Sequence, residues 1–147
     1  MSLKEQLAED FKAAMKAHDT VRKNTVQMVK ARVLQVEKDH HIELDDEGVI
    51  EVVAKEVKQR RDSLPEFEKS GREDLVEGLK AEIAVLAAYL PAQLSKEELE
   101  VIVKETIEEL GLSGMQNMGR AMSAILPKVK GKADGKEVNS LVKQYLA

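Results

Sequence analysis

Near the end of the chain, residues 128 to 142 read KVKGKADGKEVNSLV, with Lys128, Lys130, Lys132 and Lys136 set around Gly131, Asp134 and Gly135. Ammonium groups at this density can neutralise phosphates, and glycines let a ligand backbone come close. The same stretch also has a purely structural reading. Gly131 turns the chain and Asp134 starts a helix, and a carboxylate at a helix N-terminus competes with phosphate for the same amide groups. Turn and cap roles account for Gly131, Asp134 and Gly135, while the four lysines fit a solvated linker and an anion-contacting loop equally well.

Elsewhere the chemistry is sparse. His40 and His41 in DHHIELDDE sit beside carboxylates, but neighbouring helical residues point about 100° apart and the spacing matches no zinc pattern, so a surface or helix-end role is expected and no metal site. His18 stands alone at the end of a helical segment. The basic run Lys55, Lys58, Arg60, Arg61 is interrupted by Glu56 and followed by Asp62, the pattern of a solvated, ion-paired helix face. The sequence contains no G-x-S-x-G, phosphate-loop or dinucleotide motif and no histidine pair bracketing a glutamate on a helix face. With no catalytic constellation visible, no catalytic residue and no cofactor is assigned, and enzymatic activity of the chain alone is not expected.

Composition narrows the classes further. A chain of 147 residues with 43% hydrophobic and 34% charged residues can bury a core of one or two small domains. Aromatic residues at 3% leave little material for stacking bases. Without cysteine there are no disulfides or thiolate ligands. The charged N-terminus MSLKEQLAEDFKAAMK lacks the apolar run of a secretory signal, and no stretch reaches membrane-spanning length, so a cytoplasmic protein with no membrane partner is expected.

The elements that must position these residues are helical throughout. Ser2 and Glu5 form a capping box ahead of Leu3, Leu7, Phe11 and Met15. A second helix starts near Asp19 or Thr20, carries Val26, Val29, Val33 and Val36, and is expected to end before His40. Asp45 and Asp46 open a third through Val49, Val53 and Val57, which Pro65 should kink or break. Leu75, Leu79, Ile83, Leu86 and Leu90 make a fourth stripe, ending at Pro91. Ser95 and Glu98 form another capping box, opening a helix through Leu99, Val103, Thr106 and Leu110 to Gly111. Met115, Met118, Met122 and Ile125 form a core-facing stripe up to Pro127, and Asp134 caps a last helix carrying Val138, Leu141, Val142 and Tyr145. The spacing predicts an all-α chain in two groups, a four-helix domain over 1–90 and a three-helix domain over 91–147.

Charge is unevenly shared. Residues 1–90 hold 15 Lys and Arg against 19 Asp and Glu, whereas residues 110–147 hold 6 against 2, a local +4 in a chain of net charge −4. Such a chain does not coat itself in nucleic acid, but a local basic face can contact phosphates.

The words REDL (72–75), YLP (89–91) with the following QLS and EEL, Met118-Gly119 with Met122, and GKADG (131–135) resemble the YqeY-like family of small bacterial proteins along essentially the whole chain. That resemblance implies two all-helical domains, the second similar to the tail domain of the B subunit of the tRNA-dependent amidotransferase. In that enzyme the chemistry lies in other domains and the tail engages tRNA. Carried over, the resemblance implies that Gly119, Arg120, Lys128, Lys130, Gly131, Lys132, Asp134, Gly135 and Lys136 lie on or shape a tRNA-facing surface. The expected function is a noncatalytic tRNA-binding protein, or an adaptor between tRNA and a tRNA-charging or amidotransferase protein. The alternatives are a helical protein–protein adaptor, or amidotransferase-associated activity only in complex with other subunits.

Overall fold

A computed structural model describes residues 1–147. The chain forms seven α-helices and no strand, in two compact units, Met1–Leu90 and Pro91–Ala147. The first holds α1 (Leu3–Lys16), α2 (Thr20–His40), α3 (Asp46–Lys69) and α4 (Glu73–Ala87). The second holds α5 (Lys96–Leu110), a 3-10 turn (Met115–Asn117), α6 (Met118–Val129) and α7 (Gly135–Leu146). No helix is long and apolar enough to cross a membrane.

Local chemistry sets most helix starts. Ser2 accepts from the Glu5 amide, Asp19 from Arg22, Asp45 from Gly48 and Ser95 from Glu98, each supplying a partner to an amide the helix itself leaves unbonded. At the other ends, Gly111 (φ 64°) closes α5 in the left-handed conformation that glycine adopts without penalty. Histidine does the same work twice. His41 caps α2 at φ 53° and His18 turns between α1 and α2 at φ 55°, so these imidazoles belong to helix ends.

The first unit packs Leu7, Val26, Val29, Val33, Val49, Val53, Val57, Leu86 and Tyr89 into one core. Glu56 is buried among them at 6% exposure. Arg60 Nη1 reaches it at 2.8 Å and Arg32 Nε at 3.3 Å, and Arg60 Nε also meets Glu82 at 2.8 Å, so one ionic chain ties α2, α3 and α4. Burial opposes the charge on Arg60, but the hydrogen bonds to Glu56 and Glu82 outweigh it and hold the guanidinium pKa above its ordinary value. Tyr89 donates its hydroxyl to Asp10, which also pairs with Arg22 at 3.3 Å. Burial and the adjacent Asp10 carboxylate push the Tyr89 phenol well above its ordinary pKa. At the far end of α2, Glu37 bonds Lys4 and accepts from the Leu44 amide, contacts that hold its carboxyl below the usual range.

In the second unit, Leu99, Val103, Ile107, Ala121, Ile125, Val129, Val138, Leu141, Val142 and Leu146 form a separate core. The Leu94 amide bonds the Lys132 carbonyl at 2.9 Å, next to the starts of α5 and α7, and the Gly114 amide bonds the Leu146 carbonyl at 3.0 Å, next to their ends. Those two bonds make α5 and α7 parallel, with α6 returning antiparallel to both.

Several expectations are corrected. Pro65 does not break α3, which runs on to Lys69, and Pro127 does not end α6, which runs on to Val129. Both prolines are exposed, so the carbonyls of Arg61 and Ser123, four residues earlier, lose an intrahelical partner where water can replace it. Past Pro127, packing carries α6 on through Val129, which is 1% exposed; past Pro65 no residue of α3 is buried, and the helix runs on beside α4. α2 extends through His40, and α4 stops at Ala87, where Tyr89 and Leu90 make tight turns back to Leu86 and Ala87. The methionine stripe is core-facing only in part: Ile125 lies in the core, while Ala121 and Val129, outside the stripe, complete the buried face. Ala121, Ile125 and Val129 are buried, Met118 and Met122 only pack against them, and Met115 is 48% exposed. Met15 is likewise exposed, because three i, i+4 steps on a 3.6-residue helix rotate it about 120° from Leu3, and Leu110 and Tyr145 are exposed at the ends of α5 and α7.

Two outcomes are expected. Pro65→Ala restores an amide for the Arg61 carbonyl and should stabilise the first unit by about 2 kcal/mol, the interior-proline cost of about 3 offset by about 1 from the looser unfolded chain. A denaturant midpoint that does not rise would contradict the account of α3. Tyr89→Phe should cost about 1–2 kcal/mol at pH 7, since it strips a donor from a charged acceptor. In the unfolded chain the phenol ionises above about pH 10, while in the folded chain it stays protonated to higher pH, so the tyrosine loses its advantage as pH rises past that value. Denaturation at pH 7 and pH 11 should therefore show the gap between wild type and Tyr89→Phe narrowing; a constant gap would contradict it.

Candidate nucleic-acid interface

The residues proposed for anion contact all lie in the second unit, and its topology decides which come together. Lys128 and Val129 close α6, Gly131 turns the chain at φ 75°, and Asp134 accepts from the Lys136 amide at 3.0 Å to start α7. The turn is fastened to the segment ahead of α5. Gln93 Nε2 donates to the Gly131 carbonyl at 2.7 Å and the Leu94 amide to the Lys132 carbonyl at 2.9 Å. Bonding of both carbonyls presents the lysines from a held backbone.

The side chains spread from there. Lys128 Nζ donates to Thr106 Oγ1 at 3.0 Å, which draws it along the flank of α5, and Thr106 in turn donates to the Ile102 carbonyl at 2.7 Å. Lys136 lies instead by the first residue of α5, Lys96, in an open groove of about 360 Å³ floored by Leu99 and Leu141. Lys96 and Thr106 are ten residues apart on one helix, about 15 Å at 1.5 Å per residue. Lys128, Lys130, Lys132 and Lys136 are all exposed, forming a band of cations around one end of the unit.

Gly119 and Arg120 do not join that band. They occupy the first turn of α6, whose opposite end carries Lys128, so about 12–14 Å of helix separates them from it. Arg120 is exposed. Gly119 and Gly135 have open space where a Cβ would stand. The turn and the cap explain Gly131 and Asp134, but neither strain nor crowding explains Gly135, so its bare backbone is unassigned by structure.

Lys96, Gln93 and the groove wall of Ser140 and Gln144 are not among the residues expected from the sequence. The signal for Lys96 was present: Ser95 marks a helix start, and a third helix following two short connections must run parallel to the first, placing both starts at one end. No group of three or more His, Asp or Glu side chains is placed to hold a metal ion.

The family model described as Yqey-like protein matches residues 4–146. A protein named "Altered inheritance of mitochondria protein 41, mitochondrial" from Kluyveromyces lactis is 37% identical over 133 residues, covering 88% of this chain and 68% of the relative. The protein of that name from Pyrenophora tritici-repentis is 27% identical over 145 residues, covering 96% and 79%. A 48-residue stretch, 33% of this chain, is 46% identical to 8% of a glutamyl-tRNA(Gln) amidotransferase subunit from Thermococcus sibiricus. With the match running almost from end to end, the chain belongs to the Yqey-like protein family.

Proposed function

We propose that this protein is a noncatalytic accessory factor that binds tRNA through its second unit, or an adaptor bringing tRNA to an enzyme that acts on it. The observation that carries the reading is the spread of exposed cations. Lys128 at Thr106 and Lys136 at Lys96 are too far apart to share one phosphate, which suits successive phosphates of a polynucleotide better than a small anion. The local +4 of residues 110–147 supplies attraction that the chain as a whole, at −4, lacks. The 48-residue similarity to a component of glutamyl-tRNA(Gln) amidotransferase favours tRNA among polynucleotides.

The mechanism is electrostatic and shape-based. Lysines neutralise phosphates, the fastened turn fixes their backbone, and the bare backbone at Gly119 and Gly135 admits close approach. Any amidotransferase chemistry would belong to a partner in complex. The cytoplasm is the compartment expected from the sequence, and the mitochondrial names of the relatives make that organelle the competing one.

Binding to total tRNA should weaken with salt, with a logarithmic slope of roughly −3 to −4 for four or five phosphate contacts. Lys128→Glu with Lys130→Glu and Lys132→Glu should abolish binding, and Arg120→Ala should lower the slope by about one if both ends of α6 touch the same RNA. Unchanged affinity in the triple variant, or equal affinity for duplex DNA of matched charge, would overturn the assignment.

A further inference from the structure

The distal part of the α3–α4 hairpin has no role in either core. Between Val57 and Leu86 not one residue is buried, although nearly all of the segment is helical. Leu64, Phe67, Val76 and Leu79 are only half-covered along the seam between the two helices, and Leu75 is 38% exposed. The base of this arm is clamped by Arg60, which spans from Glu56 to Glu82. Beyond the clamp the two helices have only each other, and paired helices of this length gain most of their stability from packing that a third surface would supply.

Three further features point to what that surface is. Residues 62–79 hold six acids against Lys69 and Arg72, a net −4 equal to that of the entire chain. An open groove of about 350 Å³ at the tip is lined by Phe67 and Val76 and bordered by Glu68, Glu73 and Glu77 against two cations. Gly78 sits in the middle of α4, three residues after Leu75, with open space where a Cβ would stand. A mid-helix glycine costs helix stability, and nothing within the chain needs its small size. It does let another helix backbone approach closely beside the exposed leucine.

We infer that the α3–α4 arm is a docking surface for a cationic amphipathic helix of a partner protein. An apolar seam between two antiparallel helices is a groove that a third helix fills with residues at i, i+3 and i+4. The surrounding carboxylates select lysine and arginine on that helix's flanks and repel nucleic acid, so the arm and the lysine band take partners of opposite charge. The inference stands apart from the tRNA reading.

The test uses the full chain and a labelled helical peptide of leucine and lysine in amphipathic register, about five turns long. Its controls are a peptide of the same composition in scrambled order and an acidic counterpart with glutamate for lysine. The amphipathic cationic peptide should bind about tenfold or more tighter than the scrambled one. Leu75→Asp should erase that preference, and Glu73→Lys with Glu77→Lys should weaken both cationic peptides; all these positions are exposed, and circular dichroism verifies the fold. Equal affinity for ordered and scrambled peptides would reduce the arm to bulk charge attraction and overturn the inference, as would binding unaffected by the variants. Light scattering that shows a dimer dissociating in the same variants would assign the arm to self-association instead. tRNA affinity, measured in parallel, should not fall in either arm variant, and the triple lysine variant should keep its peptide binding, so each reading fails by itself.

Discussion

Three of the four helices of the first unit are tied together at one buried carboxylate. Glu56 lies in the apolar core, where an unpaired charge is costly, and it persists because Arg32 and Arg60 approach it from two helices. Without Arg60 that charge would keep only the longer contact to the largely exposed Arg32, and by also holding Glu82 Arg60 fixes α4 against α3. A hydrophobic core of valines tolerates sliding between helices, whereas a two-sided ion pair admits one register. Helix α3 can consequently pass through Pro65 and continue as a projecting arm, because its anchoring is complete before the proline is reached.

The second unit solves a different problem with backbone bonds. Its turn between α6 and α7 is held by Gln93 and Leu94, residues that precede the first helix of the unit. The lysines are positioned by elements distant in sequence, and they diverge because Thr106 draws Lys128 one way while Lys136 opens beside Lys96. Asp134 spends the α7 N-terminus on its own cap, leaving attraction for anions to side chains and not to the helix axis.

What could be read from the sequence was what depends on neighbours along the chain. Ser2, Asp45, Ser95 and Asp134 mark helix starts because a cap is a contact across two or three residues, and Gly111 and Gly131 mark turns because only backbone conformation is at stake. The prolines misled for the same reason. A lost hydrogen bond at Pro65 or Pro127 is a local quantity, while what lies beyond it, the burial of Val129 after Pro127 and the pairing of α3 with α4 around Pro65, is not. The lysine loop was visible, its distance from Arg120 follows from the length of α6, and Lys96 could be placed from the helix order, but the clamp at Gln93 follows from packing, which no short motif encodes. The charge of the arm was readable too, yet its lack of burial was not, since its apolar stripe looks like any core helix until the partner surface proves absent.

That lack of burial bears on how the protein can change over time. Substitutions at buried positions such as Val53 or Leu86 alter a packed interior and put folding at risk, which restricts what the two cores can become. The arm has no such residue between Val57 and Leu86. Its surface can therefore drift, or follow a changing partner, with little penalty to the rest of the molecule.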